Sequence, residues 1–345
     1  MPVASLFSDK FNMPAFRVSV INNTGQTLTD VAIPVEISTT SPLIQFLQNN
    51  SLDPRGLVAY SPEDGKFLPT WFVGPAASDV AFSKYVVFVR GDIGSAKDLI
   101  FVYHPLLAEV LNSPMKVLRP PREGYISCPD CSTYPNHAYD VFDSNDYIDL
   151  PCSLYFTNTL ATFSDMEGGV VDVVACNYML AVDYVKLGST SCAHAPGFIK
   201  GYSWDGSFRT SFLPPWVAAH VRYNDGTVYA ISGQPGSVTP YALGNYDTVN
   251  WNKTLVVMDF INQVYDVYVN DALSQTDIPF LLFDTVSVGD QIQMVVTNCG
   301  CCPRHDSAAV ACYSVKPNFT TIEDSDISYA AIIMEEGYRP TLDLL

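Results

Sequence analysis

The sequence has few basic residues, with 18 Lys and Arg against 36 Asp and Glu and a formal net charge of −18. Nucleic acids and anionic membranes repel a chain this acidic, so we expect neither as a partner. Apolar runs of about 18 residues are also missing, so no membrane span is predicted. The N-terminus lacks a basic region followed by an apolar core. We therefore predict no secretion signal: either one was removed, or the protein is assembled without one.

Sequence patterns that would indicate an enzyme are missing as well. The chain contains no G-x-S-x-G stretch, phosphate loop or dinucleotide fingerprint. It also lacks the alternating acidic residues of glycosidases, and its nearest acidic cluster, residues 322–326, reads as an exposed loop. The histidines are scattered; His305 follows Cys302 closely enough for a Cys/His metal site, but a solvated loop is favoured. We expect a protein that is not an enzyme.

The residues that are abundant predict an all-β fold. Hydrophobic residues make up 48% of the 345 residues and charged ones 16%, which is typical of a folded chain. The 20 Tyr, 19 Phe and 24 Pro, with many Thr and Val, favour strands joined by many loops. This length has room for two or three domains.

The stretch from Trp251 to Asn270 predicts a central hairpin. A β-rich run over residues 254–260 leads to a polar turn at Asn262 and Gln263, and residues 264–269 then alternate. Period-two alternation on both sides of a short turn indicates an antiparallel hairpin with one buried face.

Residues 13–110 read as a first β-sandwich of six or seven short strands. Pro34 indicates an edge strand, and Ser41 followed by Pro42 indicates the start of a short helix. The stretches FRVSVINNTGQTLTDVAIPVEI, LVAYSPEDGKFLPTWFVG and KYVVFVRGDIGSAKDLIFVYH resemble a family of uncharacterised β-sandwich modules common in archaeal and bacterial surface and secreted proteins. The resemblance covers residues 14–105 and implies a fold and an external setting, but no reaction. His104-Pro105 departs from the expected Gly-containing turn.

The second domain resembles concanavalin-like, laminin-G-type jelly rolls. VFDSNDYIDLP at residues 141–151 is similar to the first strand and turn of that superfamily, and WNKTLVVMDFINQVYDVYVN to its later hairpin. Ser144 and Asp271 stand where glycine is usual. We therefore expect two β-sandwich domains: residues 1–12 as an arm, 13–110 as the first sandwich, 111–137 as a Pro- and Cys-containing linker, 138–338 as a jelly roll and 339–345 as a tail.

Cysteine is absent before residue 128, and nine cysteines follow. Disulfides in an oxidising exterior are the leading interpretation, and the odd count leaves at least one thiol unpaired or paired between molecules. Two CxxC spacings offer zinc binding as the alternative, although the gap between them is far longer than in a compact zinc module. Intracellular disulfides of a hyperthermophile are a third interpretation. The candidates are Cys128, Cys131, Cys152, Cys176, Cys192, Cys299, Cys301, Cys302 and Cys312.

Several residues are candidates for ligand binding or modification. The oxygen ligands of Asp143, Asn145 and Asp146 have a spacing that suits calcium, although turns rich in Asp and Asn are commoner than calcium sites. No other cofactor is expected. Tyr202, Trp204 and Trp216 could stack on sugar rings, with core packing as the alternative. Sequons that fit a glycosylated exterior occur at Asn22, Asn49, Asn252 and Asn318.

We expect a structural or adhesive subunit of a cell surface, appendage or virion, working outside the cell as a homo-oligomer or polymer. In this hypothesis the N-terminal arm or residues 340–345 add a strand to a neighbouring subunit. The alternative is a glycan-binding module, and a glycosidase on the same jelly roll is third.

Overall fold

The computed structural model describes residues 13–75, 77–112, 154–158, 169–189, 191–200, 216–234, 236–298, 304–335 and 339–344. The first part of the chain forms β1 (Met13–Asn22), β2 (Leu28–Ser38), α1 (Pro42–Asn49), a 3-10 turn (Pro54–Gly56), β3 (Leu57–Ser61), β4 (Lys66–Leu68), β5 (Thr70–Val73), β6 (Lys84–Ile93), β7 (Ala96–Tyr103) and α2 (Pro105–Asn112). The all-β prediction is confirmed.

The remaining strands follow in chain order. They are β8 (Leu154–Asn158), β9 (Gly169–Val174), β10 (Tyr178–Lys186), β11 (Cys192–Lys200), β12 (Trp216–Asn224), β13 (Thr227–Gln234), β14 (Ser237–Asn245), β15 (Trp251–Asp259), β16 (Val264–Val269), β17 (Ala272–Pro279), β18 (Leu281–Leu282), β19 (Gln291–Asn298), β20 (Arg304–Tyr313), β21 (Phe319–Glu335) and β22 (Arg339–Leu344). None of the helices in the described ranges is both long enough and apolar enough to cross a membrane.

The chain divides into two compact units. Unit 1 comprises residues 1–72, 84–115 and 318–345, and unit 2 comprises residues 73–83 and 116–317. Unit 1 is a β-sandwich of a six-stranded sheet, in the order β22-β21-β1-β7-β3-β4, and a three-stranded sheet, in the order β2-β6-β5. The predicted first sandwich is thus present, with two C-terminal strands added to it.

Local sequence chemistry explains several features of unit 1. β2, which contains Pro34, is an edge strand as predicted, because proline cannot donate to a ladder on both sides. Ser41 caps α1, and its Oγ accepts from the amide of Ile44 at 3.2 Å. In place of a Gly-containing turn after β7, His104 Nδ1 accepts from the amide of Leu107 at 3.0 Å at the start of α2.

The C-terminal part of the chain corrects the expected domain boundary. β21 pairs antiparallel with β1, from Met13↔Ala330 to Asn22↔Phe319, and β22 pairs with β21. Residues 318–344 therefore belong to unit 1 and not to a domain ending at 338 with a free tail. The physical reason is that β7 covers one edge of β1, and β21 covers the other, which would otherwise be unpaired. The acidic stretch 322–326 accordingly lies in a strand and not in a loop.

A short segment of the first half of the chain belongs to unit 2. Residues 73–83 lie against β15: the amide of Trp251 donates to Asp79 O at 2.9 Å, and the amide of Ala81 donates to Trp251 O at 2.8 Å. The backbone amide and Oγ of Ser83 donate to Asp271 Oδ2 at 2.6 and 2.9 Å. The sequence pattern did not predict that this segment belongs to unit 2.

Unit 2 is a larger antiparallel sandwich, with the two-sheet architecture expected of a concanavalin-like jelly roll. One sheet has the order β17-β16-β15-β10-β20-β8 and the other β14-β13-β18-β12-β11-β19-β9. The predicted hairpin is confirmed as β15–β16, and Tyr265 and Val267 are fully buried in the core between the sheets. The sequence pattern predicted none of the strands β8, β11, β14 and β17.

Several sequence predictions fall outside the described residues. These are the arm at residues 1–12, the linker after Asn112 and the landmark at residues 141–151.

Candidate functional site

The seven-stranded sheet of unit 2 has an inner and an outer face, set by strand alternation. Val217, Ala219, Val221 and Tyr223 of β12 belong to the core between the sheets, as do Val228 and Ala230 of β13. Because successive side chains point to opposite faces, His220, Arg222 and Tyr229 lie on the outer face. The side chains of His194 in β11, His220 and Arg222 in β12 and Tyr229 in β13 all belong to this face.

A bulge brings two aromatic residues of β12 together on the outer face. Ile199 pairs with Trp216, and Gly197 pairs with His220. The step from Trp216 to His220 is four residues along β12, whereas the step between their partners is two residues along β11. In a regular strand, residues four apart are about 13 Å apart. Here Ala218 has φ +55°, and the Trp216 and His220 rings stack with centroids 4.1 Å apart and planes within 15°. Such bulges and strained residues are common at functional sites.

The stacked pair extends into a buried cluster. His194 Nδ1 lies 2.7 Å from His220 Nε2, so the two imidazoles share a hydrogen bond. The side chains of Trp216, His220 and His194 are only 4%, 6% and 8% exposed. Gly197 fits beneath the indole, since a Cβ there would lie 2.5 Å from the Trp216 ring. Among the described residues, His220 Nδ1 has no hydrogen-bond partner.

The environment keeps His220 neutral. Burial, with a smaller contribution from the charge of Arg222, lowers the pKa of His220 to about 3. The buried imidazole of His220 stabilises the sheet less than an apolar side chain would, because an unsatisfied buried polar atom costs about 1–3 kcal/mol.

We expect unit 2 to lose stability between pH 7 and pH 5 because of His220. The folded pKa lies below the ordinary value of 6.5, so this stability is complete above about pH 6.5 and falls as the pH approaches 3. The loss by pH 5 is about 2 kcal/mol. Thermal unfolding at both pH values measures it, and His220→Asn should flatten the dependence.

The carboxylates with lowered pKa, such as Asp30 and Asp290, start from 3.8 and do not titrate in this window. Burial also lowers the pKa of His104 in unit 1, so the difference between wild type and His220→Asn isolates the contribution of His220. An equal loss in wild type and His220→Asn would contradict the assignment of the acid sensitivity to His220.

Arg222 and Tyr229 form the accessible part of the outer face. Arg222 is exposed, Tyr229 is half-buried, and the two are cross-strand neighbours, with His194 opposite Arg222 on its other side. The next row places half-buried Ile231 opposite exposed Pro240. The outer face therefore carries a cation, a phenol and apolar side chains in adjacent rows.

No protein-family model matches the chain, and no curated protein matches it. Solved structures do show similarity. A galectin of Caenorhabditis elegans has 15% identity and a TM-score of 0.30, covering 48% of this chain and 99% of the galectin. The carbohydrate recognition domain of Emp46p, in its potassium-bound form, has 9% identity and a TM-score of 0.32, covering 50% and 93%. Alginate lyase from Alteromonas sp. 272 has 11% identity and a TM-score of 0.26, covering 46% and 79%. Similarities this weak do not identify a ligand.

The structure places only one of the three predicted stacking residues. Trp216 lies in the buried cluster, which matches the core-packing alternative, and its ring faces His220 and not solvent. Tyr202 and Trp204 lie outside the described residues, as do the calcium candidates Asp143, Asn145 and Asp146.

The cysteines are partly placed. Cys176 and Cys312 form a disulfide, and Cys192 is disulfide-bonded as well, which confirms the disulfide interpretation for these three. The other six candidates, Cys128, Cys131, Cys152, Cys299, Cys301 and Cys302, lie outside the described residues. No group of three or more metal-ligating side chains occurs within the described ranges.

His305 does not lie in a solvated loop as expected. It is fully buried in β20, where its Nδ1 lies 3.0 Å from Asp183 Oδ2.

Two of the four sequons are exposed. Asn49 and Asn318 lie at the surface and could carry a glycan in the folded protein. Asn22 and Asn252 are 7% and 0% exposed. Their amides are engaged in turns, because Asn22 Nδ2 donates to Gly94 O and Asn252 Nδ2 to Asp247 O, both at 2.7 Å. The fold therefore has no room for a glycan at these two positions.

Proposed function

We propose that unit 2 is a non-enzymatic glycan-binding module, and that the outer face around Arg222 and Tyr229 is its site. The observation that carries the proposal is the juxtaposition of these two residues with the buried Trp216–His220–His194 cluster on one sheet face. Sugars present apolar C–H faces and hydroxyl groups in alternation. An aromatic ring beside a fork of N–H donors matches both features.

The cluster acts as the support of this surface. A stacked indole and imidazole fix the bulged segment of β12, and the hydrogen bond to His194 ties that segment to β11. The bulge thus sets the position of Arg222, two residues beyond His220. Rigid support of this kind lowers the entropy lost when a ligand orders a flexible side chain.

The composition of the face supports binding over hydrolysis. Glycosidases place a pair of carboxyl groups on either side of the scissile bond. The four strands β11 to β14 contain no Asp or Glu. Neutral His220, with a pKa of about 3, is also a weak base at physiological pH.

The setting that we propose is extracellular, on a cell surface or virion. The disulfide Cys176–Cys312 suits an oxidising exterior. A face that offers one cation and one phenol binds a single sugar weakly, so we propose that several copies of the protein bind together and gain avidity. Strand donation by residues 340–345 is not part of this proposal, because β22 already pairs with β21.

A glycan array tests the proposal. We expect the wild-type protein to bind a limited set of glycans, and Tyr229→Ala to weaken that binding about 5- to 10-fold, since a ring contact is worth about 1 kcal/mol. Tyr329→Ala is the matched control, because Tyr329 is a 50% exposed tyrosine in unit 1. Absence of binding across a broad array would contradict the proposal, and release of reducing sugar would contradict its non-enzymatic part.

A further inference from the structure

Every lysine side chain that the structure describes in unit 2 is paired with an aspartate. Lys200 meets Asp290 at 2.7 Å and Lys316 meets Asp266 at 2.9 Å. Lys186 is paired with Asp79, and Lys253 with Asp271. Within the side chains that the structure describes in this unit, Arg222 alone forms no salt bridge, and its guanidinium makes one weak hydrogen bond, to Asn224 Oδ1 at 3.5 Å.

The isolation of Arg222 is notable in so acidic a chain. Asp and Glu outnumber Lys and Arg by 36 to 18, yet none lies on the four strands around Arg222. The carboxylate nearest in sequence, Asp225 in the following turn, accepts instead from Asn224 Nδ2 at 2.9 Å. The charge of Arg222 also reaches the buried cluster, since it contributes to the lowered pKa of His220.

We propose that the outer face selects carboxylated sugars, and that the guanidinium of Arg222 binds the sugar carboxylate. This inference rests on the proposed glycan-binding function and specifies its ligand class. A guanidinium has a planar fork of donors that matches the two oxygens of a carboxylate, and such charge-assisted pairs are about twice as strong as neutral hydrogen bonds. Tyr229, the cross-strand neighbour, lies where it can contact the ring of the same sugar.

Because the chain has a net charge of −18, its overall charge cannot attract carboxylated sugars. A chain with this charge repels polyanions at distances beyond contact, so it does not gather acidic polymers non-specifically. Selection for a carboxylate must therefore come from a direct pair with an available cation. Arg222 provides that cation, and the strands β11 to β14 contain no aspartate or glutamate that would compete for it.

Calorimetric titration with matched sugar pairs tests the inference. One pair is a uronic-acid oligosaccharide and its carboxyl-reduced counterpart, and the other is a sialylated lactose and the same sugar with the sialic acid carboxyl group reduced. We expect the wild-type protein to bind the carboxylated member of at least one pair about 10-fold more tightly, or more. The pair that shows the preference distinguishes uronic from sialic acid as the source of the carboxylate.

Variants of single residues complete the test. Arg222→Gln should abolish the preference, while Arg17→Gln, the same charge change at an exposed residue of unit 1, should keep it. Equal affinity for both members of each pair, or a preference unchanged in Arg222→Gln, would overturn the inference while glycan binding itself stands. Absence of binding to every sugar tested would overturn the proposed function as well.

Discussion

Replacing His305 with Leu is expected to lower the free energy of unfolding by about 3–5 kcal/mol. Its Nδ1 lies 3.0 and 3.3 Å from the two carboxylate oxygens of Asp183, and both side chains are fully buried between β10 and β20. Without the imidazole, the carboxylate of Asp183 remains in the core of unit 2 without its partner. Desolvation of an uncompensated charge is among the largest penalties that one substitution can impose. Urea unfolding followed by tryptophan fluorescence measures the loss.

The double variant Asp183→Leu/His305→Leu separates the charge effect from simple loss of packing. Replacing a buried pair by apolar residues of similar volume is often neutral. We therefore expect the double variant to be more stable than His305→Leu alone. If the double variant lost as much stability as the sum of the two single variants, the pair would not be energetically coupled, and this account of it would be wrong.

Removing the Cys176–Cys312 disulfide is expected to lower stability by about 2–5 kcal/mol. The two cysteines are 136 residues apart, and a cross-link that closes so long a loop strongly restricts the unfolded chain. The bond also joins Cys176, which follows β9, to Cys312 in β20. Cys312 is buried, with 2% of its surface exposed. Unfolding of Cys176→Ala/Cys312→Ala, compared with wild type under oxidising conditions, measures the effect.

Reductant provides the control for the disulfide. Reduction in denaturant opens this disulfide and the one that contains Cys192, so we expect the reduced wild type and the reduced double variant to have nearly the same stability. A double variant as stable as the oxidised wild type would show that this disulfide does not constrain the unfolded chain.

Local features of the fold were predictable from the sequence, whereas long-range pairing was not. Alternation over residues 264–269 predicted the hairpin because period-two burial is a property of neighbouring residues. The pairing of Met13 with Ala330 joins strands more than three hundred residues apart, and no local pattern specifies it. The acidic stretch 322–326 read as a loop because its charges suggest solvent. In the structure Glu323 Oε1 instead accepts from the amide of Ser38 at 2.7 Å.

The candidate site depended on geometry that the sequence does not display. His194 and His220 read as scattered because they are 26 residues apart. Trp216 and His220 are four apart, a spacing that regular strand geometry would keep about 13 Å apart. Only the bulge at Ala218 brings them into contact, and an alanine gives no sign of positive φ. The lack of Asp and Glu around Arg222 is visible in the sequence, but its meaning requires knowing which strands are neighbours.

Mapping amide chemical shifts by NMR during titration with the tightest-binding glycan tests the central claim most directly. We predict that the largest shift changes occur in β11, β12 and β13, centred on Arg222 and Tyr229, and saturate with the affinity that calorimetry gives. Saturable changes centred on the six-stranded sheet of unit 2 or on unit 1, with β12 and β13 unaffected, would contradict the assignment of the binding site to this face.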